Sequence, residues 1–193
     1  MMADAAKLTI LVDMDDVMED LLPAWLEVLN EKYGKSVFIG DVTEWNFYHL
    51  YPDLTREQIR SVLDEYDLWR RVYPKTGAKE YVKRLMDDGH KVYVVTAAHP
   101  DTLSERYNTV IRKHFPFIKA TQIITTYHKQ MIRGDILIDD GPHNLAGGDY
   151  FKILMDAPHN RYFDEQQIDA VRVYNWSQVY NIIQHFSKDK EGV

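Results

Sequence analysis

Apolar and polar residues alternate along this chain with two different periods. From residue 8 to residue 12, five apolar or β-branched side chains run without a polar break, as in a strand buried on both faces of a parallel sheet. Residues 19–33 then place Leu21, Leu22, Trp25, Leu26, Val28 and Leu29 at helical spacing. Pro23 falls in the first turn of that helix, where its missing N–H costs little, and Gly34 supplies the stop. Over residues 35–53 the periodicity is lost and aromatics gather, among them Trp45, Phe47 and Tyr48. Thr55-Arg56-Glu57-Gln58 has the pattern of a capping box and predicts a helix running to about residue 71. After the break at Tyr73-Pro74-Lys75, a further helix is expected over 77–88, with Thr76 as its cap and Gly89 past its end.

From residue 91 strands and helices take turns. Strands are expected at 91–96, 122–125, 135–138, 151–155 and 171–174, and helices at 101–114 and 176–186. Strands separated by helices of this length imply right-handed crossovers and a mostly parallel sheet. The expected fold class is therefore α/β, a Rossmann-like sheet flanked by helices. Residues 19–73 offer helices but no good strand, so a small helical segment is expected as an insertion after the first strand. The tail from residue 187 is expected to fray.

Composition narrows the function by exclusion. The 193 residues suffice for one domain with an insert and a real core. A balance of 23 basic against 30 acidic side chains gives −7, which argues against binding a nucleic-acid polymer through a basic face. There is no cysteine, so disulfides, thiol catalysis and thiolate metal sites are excluded. Residues 1–7 lack the apolar core of a signal peptide, and no apolar run is long enough to span a bilayer. A soluble, cytoplasmic protein with no membrane partner is expected.

The chemistry gathers at the strand ends, where open parallel sheets hold their ligands. The first strand ends in Asp13, Asp15 and Asp16, three carboxylates in four positions. Crowded carboxylates repel one another, and a hard divalent cation such as Mg²⁺ would relieve the conflict. The plainer alternative is an acidic, solvated turn. The next strand ends at Thr96, followed by Ala97; Lys129 follows the short strand at 122–125; the strand at 135–138 ends in Asp139-Asp140. Each has an ordinary reading: Thr96 capping a turn, Lys129 in solvent, Asp139-Asp140 capping the turn at Gly141-Pro142. Together, and in this order, they form the set used in phosphomonoester cleavage: a carboxylate nucleophile, a second carboxyl as acid and base, a cation, and a lysine and hydroxyl for the phosphoryl oxygens. The aromatics at 45–48 either pack beneath an irregular loop or stack on a planar ligand such as a nucleobase.

This motif set resembles the haloacid dehalogenase-like superfamily. Its first motif matches Val12-Asp13-Met14-Asp15-Asp16-Val17, its second Val95-Thr96, its third Lys129 and its fourth Asp139-Asp140. Within it, VDMDDV and Gly134-Asp135-Ile136-Leu137-Ile138-Asp139-Asp140 look most like the 5′(3′)-deoxyribonucleotidases, over about residues 8–145. The resemblance implies an Mg²⁺-dependent phosphatase acting on a small phosphorylated substrate, a nucleoside monophosphate, in deoxyribonucleotide catabolism. It also implies a core formed by 1–18 and 75–193 under a helical cap at 19–74, with a homodimer as a further expectation. By the same resemblance Asp13 is nucleophile and metal ligand. Asp15 is the acid/base and lends the metal its backbone carbonyl. Asp140 completes the metal shell, supported by Asp139. Thr96, Ala97 and Lys129 bind phosphate, and Trp45, Phe47 and Tyr48 line the substrate side.

The chain departs from the family pattern at two places: Asp16 stands where Gly is usual, and Ala97 where a second hydroxyl is common. His99, His143 and His159 receive no role. Other readings are a phosphatase of another small metabolite, such as a sugar phosphate, a non-catalytic phosphate-binding protein on the same fold, and a phospho-acceptor signalling domain. The last is disfavoured because the acidic pair and presumed nucleophile share the first strand.

Overall fold

The alternation of apolar side chains along each strand decides how the sheet is buried. In β1 (Thr9–Val12), Ile10 and Val12 enter the larger of two apolar clusters and Leu11 the smaller. β4 (Ile136–Asp139) repeats this, with Ile136 and Ile138 on one side and Leu137 on the other. Both strands are covered on both faces, as their unbroken apolar runs require. A computed structural model describes residues 6–98 and 100–190; His99 lies outside the described residues.

The other strands are β2 (Lys91–Thr96), β3 (Ile123–Thr125), β5 (Phe151–Met155) and β6 (Ala170–Val173). The sheet has six strands in the order β3-β2-β1-β4-β5-β6, and every pairing is parallel. From β1 the chain steps outward to β2 and β3, then returns to place β4 on β1's other side. The order reverses between β1 and β4, so a crevice opens beyond their carboxyl ends.

The helices are α1 (Leu21–Tyr33), α2 (Arg56–Ser61), α3 (Tyr66–Arg71), α4 (Ala78–Asp87), α5 (Pro100–Arg106), α6 (Arg112–His114), α7 (Pro142–Leu145) and α8 (Trp176–Asp189). A π-helical turn, Tyr107–Ile111, joins α5 to α6. The first three helices leave and rejoin the sheet through paired segments: the Asp20 N–H donates to the Tyr73 carbonyl and the Lys75 N–H to the Met18 carbonyl, both at 2.9 Å. The loop after β1 is also tied to the last helix, because the indole N–H of buried Trp176 donates to the Val17 carbonyl at 2.9 Å. Among the described residues no helix is long and apolar enough to cross a membrane.

Three local expectations need correction. The helix expected from the capping box at Thr55 stops at Ser61, gives way to a 3₁₀ turn, Val62–Asp64, and restarts at Tyr66. Tertiary demand breaks it: the indole N–H of buried Trp69 takes the Leu63 carbonyl at 2.9 Å, an acceptor that an unbroken helix would use internally. Thr76 does not cap α4. Gly77 stands at that position with φ 82°, and the Lys75 carbonyl accepts the Ala78 N–H. Ser187 is not frayed either; it lies within α8, fully buried, and its hydroxyl donates to the Ala6 carbonyl at 2.6 Å.

Candidate active site

The reversal of strand order brings the ends of β1, β2 and β4 to one rim. Asp13 directly follows β1, and its N–H donates to the Ile138 carbonyl of β4 at 2.9 Å, which fixes the backbone beneath its side chain. Lys129 opens the 3₁₀ turn Lys129–Met131 after β3 and is almost wholly buried, at 1% exposure. Its ammonium lies 2.7 Å from Asp13 Oδ1 and 2.6 Å from Asp139 Oδ2. Burial alone would strip the proton from such a lysine. The charges of Asp13 and Asp139 more than offset it, and the Lys129 pKa is raised. Asp139 is well satisfied: its other oxygen accepts from the Gly141 N–H at 2.8 Å and the Asn144 amide at 3.0 Å.

Asp13 and Asp140 are less satisfied. Burial, with Lys129 opposing it and Asp139, Asp140 and Asp15 adding to it, pushes the Asp13 carboxyl well above the usual carboxylate range. Burial and the neighbouring Asp139 do the same to Asp140. Asp140 Oδ1 is buried with no hydrogen-bond partner among the described residues. Asp13, Asp139 and Asp140 can each offer an oxygen such that all three lie within 4.8 Å of one another. An all-oxygen, anionic donor set with an orphaned oxygen fits a hard divalent cation.

Asp15 is held by a partner that residue spacing did not reveal. Arg106, at the end of α5 and 5% exposed, sets its Nη1 2.9 and 2.6 Å from the two Asp15 oxygens. The same guanidinium lies 4.1 Å over the Trp69 ring of α3. Glu19 pairs through its backbone with Asp15 and Pro74 and is fully buried. Burial and then the Asp15 charge push its carboxyl well above the ordinary range. Asp16 adopts φ 55°, the left-handed conformation that favours glycine. Its Oδ1 accepts the Leu22 N–H at 3.0 Å and so caps α1, a task left undone by Asp20 at the N-cap position. Burial, then Asp140, raises the Asp16 pKa to about 7. Thr96 ends β2 fully buried, with a hydroxyl that makes no hydrogen bond among the described residues.

These side chains open into a cavity of about 430 Å³ whose lining includes Asp13, Asp15, Ala97, Lys129 and Asp140 on the sheet side and Trp45, Phe47 and Tyr48 from the insertion. The insertion aromatics divide their work. Phe47 is buried and meets Trp25 edge-on at 5.0 Å, so it packs the insertion as well as walling the cavity. Trp45 is half exposed and stands edge-on to His143 at 4.6 Å and His159 at 4.8 Å. A larger groove, about 880 Å³, runs past Tyr73, Lys79 and Phe117 and contains none of these carboxylates.

Asp13, Asp15, Asp16, Ala97, Lys129 and Asp140 thus line one cavity with the three aromatics; Asp139 is held behind them by Lys129, and Thr96, buried at the end of β2, is not among the lining residues. Arg106, Glu19 and Asn144 were not anticipated, and His143 and His159, which were given no role, line the cavity. Arg106 and Glu19 sit within helical or turn patterns whose polar positions read as solvated. Only the short spacing from Asp139 to Asn144, across a Gly-Pro turn, offered a local clue.

Comparison with known proteins gives the family. The family model described as 5′ nucleotidase, deoxy (Pyrimidine), cytosolic type C protein matches residues 7–189. The chain is 35% identical over 175 residues to the 5′(3′)-deoxyribonucleotidase of Bacillus subtilis (strain 168), covering 90% of this chain and 96% of the relative. It is 30% identical to the 5′(3′)-deoxyribonucleotidase of Clostridium acetobutylicum, covering 80% and 85%. Among solved structures, a haloacid dehalogenase-like protein of unknown function from Agrobacterium tumefaciens superposes with a TM-score of 0.65 at 14% identity, covering 92% of this chain and 98% of that one. A HAD family hydrolase from Deinococcus radiodurans with bound phosphate and sodium gives 0.63 at 12% identity, covering 93% and 96%. The chain belongs to the deoxy-type 5′ nucleotidase family on a haloacid dehalogenase-like fold, and it is a phosphoric monoester hydrolase.

Proposed function

We propose that the chain is a cytoplasmic, Mg²⁺-dependent 5′(3′)-deoxyribonucleotidase that cleaves nucleoside monophosphates through an aspartyl-phosphate on Asp13. The observation that carries this reading is the position of Asp13: buried, paired with Lys129 at 2.7 Å, and on the wall of a cavity that Trp45 also lines. Residues 19–74 act as the cap that shapes that cavity over a core of 1–18 and 75–193.

Asp13 attacks phosphorus; an Asp–O–P bond forms as the ester P–O bond breaks, and Asp15 gives its proton to the departing nucleoside oxygen. In the second step Asp15 takes a proton from water as that water's oxygen bonds to phosphorus. The Asp13–phosphorus bond breaks, phosphate leaves and the carboxylate is restored. Lys129 orients Asp13 and offers positive charge to the phosphoryl oxygens, while the Thr96 hydroxyl and the backbone after it supply donors. Asp13, Asp140 and the Asp15 carbonyl would hold Mg²⁺, with Asp139 in support. When bound, the ion neutralises charge on the phosphoryl oxygens and lets a carboxylate approach them.

Arg106 keeps the Asp15 carboxyl in place for both proton transfers. Arg106→Met is expected to slow hydrolysis of a deoxynucleoside monophosphate, which leaves as a poor alkoxide, by about 10²-fold, the lower range for a general acid. Because p-nitrophenolate leaves without a proton, Asp13 phosphorylation by p-nitrophenyl phosphate is spared, and a burst of nitrophenolate should precede slow turnover. Equal slowing of both phosphorylation steps would deny Arg106 this positioning role.

The substrate class is tested with deoxynucleoside and ribonucleoside 5′- and 3′-monophosphates beside sugar phosphates. Stacking on an aromatic ring is worth about 1–3 kcal/mol per base. Trp45→Ala is therefore expected to raise KM for the preferred nucleotide by roughly 5- to 150-fold on that basis, and to leave KM for a sugar phosphate unchanged. Preference for a sugar phosphate in the native protein would overturn the nucleotide assignment.

A further inference from the structure

Beside the all-oxygen cluster stands a second group of metal-ligating side chains, two of which the phosphoryl chemistry does not use. Asp16, Asp140 and His159 can each offer one ligand atom such that the three lie within 4.8 Å of one another. This group contains an imidazole, and it shares Asp140 with the first.

The histidine is held there firmly. His159 lies in the 3₁₀ turn Pro158–Asn160 after β5. Asn160, 2% exposed, locks that turn to the fourth-strand motif: its amide donates to the Asp140 carbonyl at 2.7 Å and to the Met155 carbonyl at 2.8 Å. Its oxygen accepts the Ala157 N–H at 3.1 Å and Arg172 Nη1 at 2.9 Å. The His159 side chain is only 6% exposed, under the edge of Trp45. Its Nε2 is buried 2.7 Å from Asp140 Oδ2 without the angles of a hydrogen bond, and has no other hydrogen-bond partner among the described residues. A buried ring nitrogen set against a carboxylate oxygen in this way places two potential metal ligands side by side.

Asp16 completes the set at some cost to the backbone. A non-glycine residue at φ 55° is disfavoured, and this chain nevertheless carries a carboxylate there. Capping α1 uses Oδ1 of that carboxylate, and a carboxylate has two oxygens. Lys75, the nearby cation, is engaged by Asp20 Oδ1 at 2.8 Å.

We propose that Asp16, Asp140 and His159 form a second divalent-cation site, of mixed nitrogen and oxygen donors, that takes a first-row transition metal in preference to Mg²⁺. Imidazole suits the later first-row ions such as Co²⁺, Ni²⁺ and Zn²⁺, whereas Mg²⁺ favours oxygen alone. Asp140, with one oxygen near His159 and the other unpartnered among the described residues, would serve both positions. The inference stands whether or not the substrate is a nucleotide, because its test needs no substrate.

The probe is Co²⁺, titrated into metal-free protein in the presence of saturating Mg²⁺ and followed by visible absorption and by calorimetry. Native protein is expected to bind one equivalent of Co²⁺ with a d–d band of a nitrogen-containing site. Asp16→Asn keeps the acceptor that caps α1 and tolerates the left-handed backbone, while losing the charge. His159→Phe keeps a ring under Trp45 without a donor. Both variants are expected to weaken Co²⁺ binding at least about tenfold, the lower end of losses on removing groups that support a metal, and to retain calorimetric Mg²⁺ binding in the absence of Co²⁺. That retention separates loss of the second site from loss of the fold. Absence of the band in native protein, or Co²⁺ affinity unaltered in both variants, would overturn the site.

Discussion

Asp13→Asn is expected to lower turnover by at least about 10⁴-fold, the scale on which removal of a nucleophile acts in enzymes whose groups work as a unit. The variant should fold as well as the native chain, or better. Asp13 is buried beside Asp139 and Asp140, and its carboxyl is pushed up by that burial and opposed chiefly by Lys129. An amide removes the buried like-charge repulsion and can still accept a hydrogen bond from the Lys129 ammonium. Steady-state rates with saturating Mg²⁺ and thermal melts of both proteins read the two effects separately. A stable variant that keeps a tenth of native activity would remove Asp13 from its role as nucleophile.

The second large effect concerns stability. Lys129→Met replaces a cation 1% exposed, lying 2.7 Å from Asp13 and 2.6 Å from Asp139, with an apolar chain of similar length. Removing one partner of a buried pair leaves uncompensated charge and costs about 3–5 kcal/mol. In a chain of this size that corresponds to a fall in Tm of roughly 6–20 °C. The sign with metal is also set. A divalent cation supplies the missing positive charge, so Mg²⁺ should recover part of the loss and raise Tm more in the variant than in the native protein. Thermal scanning with and without Mg²⁺ checks this, and a variant as stable as native without metal would show that Lys129 is not the counter-charge holding the carboxylates together.

The contrast between these two residues and the rest of the rim explains what could be read before the fold was known. Asp13, Thr96 and Asp139-Asp140 follow apolar strands, and Lys129 follows the short β3. Strand ends in a parallel sheet converge, so their order along the chain was enough to group them. The fold class followed from the same alternation of strand and helix. Arg106, Glu19 and His159 reach the rim from a helix, a connecting bridge and a 3₁₀ turn, where no period points a side chain toward a site. Their roles depend on tertiary placement: Arg106 on Trp69 and Asp15, His159 on the lock that Asn160 makes with Asp140. The broken helix at 62–65 has the same cause. Its local capping signal is genuine, since Thr55 accepts the Gln58 N–H at 3.1 Å, but it describes only the first turns. What happens after Ser61 is decided by Trp69, which lies beyond the reach of a capping motif.

The central claim is that Asp13 carries the phosphoryl group between the two half-reactions. Native protein turning over its preferred nucleotide can be quenched with borohydride, which reduces an aspartyl-phosphate to homoserine, and the peptide bearing residue 13 sequenced by mass spectrometry. The account predicts homoserine at position 13 when substrate is present and aspartate there when it is absent. Unaltered aspartate at position 13 during demonstrable turnover, or homoserine at another carboxylate, would contradict it.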